Sequence, residues 1–140
     1  MARKSLQEIG YDYDHGTGHG IGSFLSVHEG PQRIAKFQGL GDSEIMQGMI
    51  LSNEPGFYKK NEYGIRTENL MITKRESQTL LNFETISWAP FDVELIETSL
   101  LESKEIEWIN WYHQETFNKL ADKLNNIEKS WLSEVIQPIS

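Results

Sequence analysis

Cysteine is absent from this 140-residue sequence. Disulfides, thiolate metal sites and a cysteine nucleophile are therefore excluded, and any metal ion must be held by His, Asp and Glu, a donor set that suits Mn, Zn, Co or Fe. Basic residues are in deficit: 13 Lys and Arg stand against 21 Asp and Glu, giving a net charge of −8. That sign excludes non-specific nucleic-acid binding, which needs a cationic face, and favours cations. No apolar run approaches the ~20 residues that cross a membrane, and none follows the basic residues near the N-terminus as in a signal peptide. The cytoplasm is the expected location, with neither nucleic acid nor membrane as a partner.

What is present supports a packed core, with 38% hydrophobic and 24% charged residues. The chain divides by composition. Residues 1–96 hold all 11 glycines and three of the four prolines. Their short apolar segments, residues 20–27, 49–53, 69–72 and 79–83, are punctuated by Gly and Pro and predict strands and turns. The last two, joined through Lys74-Arg75-Glu76, predict a hairpin. Residues 97–140 lack glycine and predict helices. In the first, capped by Ser103 with Glu105 and Glu107 in its opening turn, Ile106, Trp108, Ile109, Trp111, Tyr112, Phe117, Leu120 and Leu124 recur at helical spacing. A second is expected over residues 128–136, before Pro138. Three of the four tryptophans fall in this region, on a face suited either to packing against residues 1–96 or to a subunit interface. At the other end, residues 2–9 read as the closing turns of an amphipathic helix stopped by Gly10, so the chain is expected to be a portion of a larger domain.

Three segments carry chemistry. In Asp14-His15-Gly16-Thr17-Gly18-His19-Gly20-Ile21-Gly22 the two histidines have helical spacing, but interior glycines each cost ~1 kcal/mol in a helix, so His15 and His19 need not share a metal. Glycines beside His19 allow a close backbone approach. His28 follows, whereas His113 lies in the helical region as a surface or packing residue. Ser52-Asn53-Glu54-Pro55-Gly56-Phe57-Tyr58 delivers Glu54 at a strand end. In Gly64-Ile65-Arg66-Thr67-Glu68-Asn69, Arg66 and Glu68 would share one face of a strand, where the arginine can orient a ligating carboxylate and hold it ionised.

In order and spacing these segments, with Val27-His28-Glu29-Gly30-Pro31, Phe83-Glu84-Thr85-Ile86-Ser87-Trp88-Ala89-Pro90-Phe91 and the closing Trp131 to Ser140, resemble the second half and C-terminal extension of aminopeptidase P, the Xaa-Pro aminopeptidases of the pita-bread metallopeptidase family, in their long cytosolic form. The resemblance implies an α+β fold: the second half of a pita-bread domain over residues 1–96, then a helical extension over 97–140. It implies a site for two divalent ions, Mn foremost with Zn or Co as alternatives, that activate a water to release the N-terminal residue from peptides with proline second. Of the five ligands it implies, His19, Glu54 and Glu68 match positions here, Glu68 bridging. His15 and His28 match catalytic, substrate-facing histidines, Arg66 supports the carboxylates, and Tyr58 lines the substrate pocket. The two aspartate ligands of the first half match nothing in this sequence. The chain alone is therefore expected to hold at most one ion and to be inactive until a first half is supplied, and the resemblance implies a homodimer. Two other readings remain open: a non-catalytic dimerisation or binding module, and a mononuclear hydrolase using His19, Glu54 and Glu68 alone.

Overall fold

A computed structural model of the chain describes residues 2–24, 26–37, 39 and 41–140. It forms two compact units, Met1–Ser87 and Trp88–Ser140. The compositional change near residue 96 and this division fall at different places. Residues 88–96 lack a helical pattern, yet their hydrogen bonds run to the long helix that follows: Tyr112 Oη donates to Ala89 O at 2.9 Å, and Phe91 N–H donates to His113 Nε2 at 3.1 Å.

The first unit opens on α1 (Lys4–Glu8). Gly10, at φ +82°, donates to Gln7 O at 3.1 Å, and Tyr11 N–H donates to Leu6 O at 2.9 Å. This pair of bonds around a left-handed glycine closes the last carbonyls of the helix. Among the described residues seven strands follow: β1 (Gly18–His19), β2 (Arg33–Ile34), β3 (Ile50–Asn53), β4 (Gly56–Lys59), β5 (Tyr63–Arg66), β6 (Asn69–Arg75) and β7 (Leu81–Thr85). All their pairings are antiparallel: β1 with β2, β4 with β5, and β6 between β3 and β7. Leu51, Met71 and Tyr13 are buried.

The β3–β6 ladder ends at the pair Asn53↔Asn69. Between those partners the chain leaves as the β4–β5 hairpin, whose base is closed by Thr67 N–H to Pro55 O at 3.3 Å. Glu54 and Glu68, 14 positions apart in sequence, therefore flank one ladder end.

Several expectations are corrected. The strand expected over residues 20–27 is a loop: after a single bridge from Gly20 to Leu51, Gly22 N–H bonds Ser26 O and Glu29 N–H bonds Gly20 O, which bends the segment back on itself. Leu25 of that segment lies outside the described residues. The β6–β7 hairpin turns later than expected. β6 runs through Arg75, and the turn is closed by Glu76 N–H and Ser77 N–H on Leu80 O. Arg66 and Glu68 do not share a strand, because β5 ends at Arg66 and the next ladder starts at Asn69.

The second unit carries two short 3-10 turns (Val93–Leu95 and Thr98–Leu100), α2 (Ser103–Leu120), a third 3-10 turn (Ala121–Lys123) and α3 (Asn126–Val135). Ser103 is the first helical residue and not the cap. Glu102 holds that position, its N–H bonded by the Glu105 carboxylate at 2.8 Å. α3 begins two residues before the expected Glu128, because Asn125 accepts from Ile127 N–H and Glu128 N–H while Glu128 returns a bond to Asn125 N–H, a reciprocal cap. Tyr112, fully buried, stacks on Trp88 and Trp108 with ring centroids 5.3 and 5.4 Å away. Asn110 pins the C-terminal tail through two 2.9 Å bonds with Ile139. His113 is a packing residue, 1% exposed. Trp111 and Trp131 are half-exposed on this unit.

Candidate metal centre

His19 arrives on β1, which touches β3 through the Gly20–Leu51 bridge. The approach is close: a Cβ on Gly18 would stand 2.0 Å from the carbonyl oxygen of Ser52, so only glycine fits there. Glu54 N–H bonds Thr17 O at 2.7 Å, tying the end of β3 to the segment leading into β1. The result brings together His19, Glu54 and Glu68, whose ligand atoms all lie within 4.8 Å of one another. Glu54 is buried, His19 half-buried and Glu68 exposed.

The donor set fits a divalent cation. His19 Nδ1 lies 3.0 Å from Gly20 O. A carbonyl only accepts, so Nδ1 is the donor there, and Nε2 is the ring atom left to serve as a ligand. That atom faces Glu54 Oε1 at 3.0 Å. Two such atoms so placed call for a proton or a cation between them, and donors held ~2.0–2.2 Å from one ion stand about 3 Å apart at right angles. Ser52, fully buried, donates its hydroxyl to Glu54 Oε1 at 2.8 Å and accepts His19 N–H at 3.0 Å.

The other expected site residues surround this trio but are not part of it. His28 is exposed, its ring 4.2 Å from that of His19 in an edge-to-face arrangement. His15 is occupied elsewhere. Its Nδ1 bonds Gly16 O, so Nε2 accepts from Tyr58 Oη at 2.7 Å. Tyr58 Oη in turn accepts from Arg66 Nε at 2.9 Å, and Arg66 Nη1 lies 3.4 Å from Glu54 Oε2. The Tyr58 bond first, then the charges of Glu54 and Glu68, raise the Arg66 guanidinium above its already high range. His15, His19, His28, Glu54 and Arg66 all line one cleft of about 650 Å³.

Two residues without a role in the sequence reading stand out. Ser52, in β3, lies two positions before Glu54, which follows the end of that strand, and bonds its carboxylate; an i, i+2 spacing at a strand end could have drawn attention to it. Arg3, buried under the His15 loop, bonds Asp12 at 2.6 Å and the carbonyls of Tyr13 and His15. Lys36 and then Arg3 hold the Asp12 carboxyl well below the usual carboxylate range. In sequence Arg3 is one cation among several beside a short helix, and nothing local announces that role.

Residues 1–75 match metallopeptidase family M24, and residues 79–139 match the C-terminal region of peptidase M24. The chain belongs to metallopeptidase family M24. Within it, the chain is 42% identical, over 99% of its length, to a probable Xaa-Pro aminopeptidase P of Coprinopsis cinerea, and 38% identical, over 100% of its length, to aminopeptidase P1 of Arabidopsis thaliana. It covers 24% and 23% of those proteins, so it spans about a quarter of the curated relatives it matches. A crystal structure of X-prolyl aminopeptidase from Caenorhabditis elegans, described as a cytosolic enzyme with a di-nuclear active site, matches 98% of the chain at TM-score 0.89 and 37% identity, over 23% of that enzyme's chain. The fold is accordingly that of the M24 pita-bread enzymes, mixed α and β. Among the described residues no helix is long and apolar enough to cross a membrane.

Proposed function

We propose that this chain supplies the second-half ligands of a dinuclear Xaa-Pro aminopeptidase, and that two aspartates from a first half complete the site. The observation that carries this reading is the convergence of His19, Glu54 and Glu68 within 4.8 Å, in a chain similar throughout to Xaa-Pro aminopeptidases. The substrates are peptides with proline at the second position, and the product is the free N-terminal residue. Mn(II) is the expected metal, with Zn(II) and Co(II) as alternatives.

When bound, such ions acidify a water and polarise the scissile carbonyl. His19, Glu54 and Glu68 hold them. Arg66 orients Glu54 from the side away from His19, with Oε2 as its contact. His28, exposed beside His19, donates to the substrate carbonyl oxygen as charge develops there. His15, oriented by Tyr58 and Arg66, lies near the scissile region of the substrate. With three ligands the chain alone holds at most one ion and is inactive. The enzyme works in the cytoplasm, as a homodimer.

Hydrolysis of a Xaa-Pro peptide with Mn(II), by the chain alone and mixed with a first-half segment from a relative, tests the reading. Activity only in the mixture is expected. Activity from the chain alone overturns the predicted inactivity. A second reading, a non-catalytic dimerisation or binding module, is favoured by Trp108, Trp111 and Trp131, which are 46%, 52% and 56% exposed. Association of the two pieces without hydrolysis would select it.

A further inference from the structure

We propose that Ser52 is a positioning residue of the metal centre, its hydroxyl setting which lone pair of Glu54 faces His19. The inference rests on the reading of His19 and Glu54 as ligands. Ser52 has 0% exposure, so its hydroxyl must find its partners inside the protein. It finds two, and they are two ligands. A hydroxyl has one proton and two lone pairs. The backbone N–H of His19 can only donate, and it does so to Ser52 Oγ at 3.0 Å. The hydroxyl proton is therefore committed to Glu54 Oε1 at 2.8 Å.

Two consequences follow. First, β1 and β3 are joined at this point by a side chain: Ser52 Oγ is the acceptor for His19 N–H, while the neighbouring Glu54 N–H is taken by Thr17 O. The hydroxyl adds a side-chain tie to the backbone contacts, Gly20 with Leu51 and Glu54 N–H with Thr17 O, that space the two ligand-bearing segments. Second, the carboxylate of Glu54 is held from both ends, Oε1 by Ser52 and Oε2 by Arg66. One lone pair of Oε1 is spent on Ser52 and the other is turned toward His19 Nε2, 3.0 Å away. Alanine at position 52 would free the carboxylate to rotate and leave His19 N–H without its acceptor. A serine that served packing alone would affect stability and leave metal affinity alone.

The test is a Co(II) titration of the 140-residue chain, followed by visible absorption, with thermal unfolding of the metal-free proteins beside it. Ser52→Ala is expected to weaken Co(II) binding about 10–100-fold and to alter the absorption band, the range typical for partners of metal ligands. Ser52→Thr, which keeps the hydroxyl, is expected to bind within about 3-fold of the wild type. If Ser52→Ala fails to fold, the isosteric pair Ser52→Thr and Ser52→Val takes its place, with the same loss expected in Val alone. Binding by Ser52→Ala (or by Val in that pair) equal to the wild type, while His19→Ala and Glu54→Gln lose it, overturns this proposal and spares the ligand reading. Unchanged binding in His19→Ala and Glu54→Gln overturns the ligand reading itself; if the wild-type chain alone binds no Co(II), the same comparison is made on the chain joined with a first-half segment, where the same outcomes decide.

Discussion

Around the metal centre the buried Ser52 and Glu54 bond His19 and each other, with Glu54 N–H on Thr17 O, whereas in residues 88–140 Tyr112, His113 and Thr116 bond to backbone groups of their own unit. The two histidines make the contrast concrete. His19 is half-buried, has its Nδ1 taken by Gly20 O, and leaves Nε2 to a cleft. His113 is buried, spends its Nε2 lone pair on Phe91 N–H, and leaves a buried Nδ1 unpartnered. Residue type alone does not distinguish a ligand from a strut. The surroundings of the remaining ring nitrogen do.

Substitutions that strike one unit should spare the chemistry of the other. Tyr112→Ala removes a ring stacked on two tryptophans and bonded to Ala89, and is expected to cost about 3–5 kcal/mol in urea unfolding of the second unit. Co(II) binding should be unchanged, and a parallel loss would break the contrast. In the opposite direction, His19→Ala or Glu54→Gln should weaken Co(II) binding by more than about 100-fold, beyond the range for indirect partners, with the urea midpoint of the second unit unmoved. Gly18→Ala forces a Cβ into the Ser52 carbonyl, 2.0 Å away. It should destabilise the first unit by about 1–3 kcal/mol and lower metal affinity with it, because β1 carries His19.

The smallest effect is a pH dependence confined to the second unit. Burial pushes the His113 pKa below its usual value of 6.5. Its unfolded form takes up a proton first, so stability is complete above the unfolded pKa and falls as pH drops through it toward the lower folded value. Urea unfolding between pH 7.5 and 5, with His113→Gln as the reference, should show a decline in the wild type that is reduced in the variant. Equal slopes would remove His113 as the cause.

His19, Glu54 and Glu68 were singled out by the order and spacing of three segments and by the resemblance those segments carry, and the structure brings the three within 4.8 Å of one another. The α+β class came with the resemblance, and the two C-terminal helices were legible from the helical spacing of their apolar residues and the lack of glycine. What sequence could not supply depended on partners distant in the chain. His15 meets Tyr58, 43 positions away, only because a hairpin folds Tyr58 back over the site. Residues 20–27 look apolar enough for a strand, but the bonds across Gly20, Gly22 and Glu29 favour a closed loop. Ser103 has the better capping propensity, yet the bond from the Glu105 carboxylate to Glu102 N–H places the cap one residue earlier.

The central claim is that His19, Glu54 and Glu68 form one side of a two-metal centre. Equilibrium dialysis against Mn(II) tests it most directly, by counting ions bound to the chain alone and to the chain joined with a first-half segment that brings the two aspartates. No more than one ion is expected on the chain alone and two on the joined protein, the latter count dropping when His19 is replaced by alanine. Two ions on the chain alone, or a count on the joined protein indifferent to His19, would contradict it.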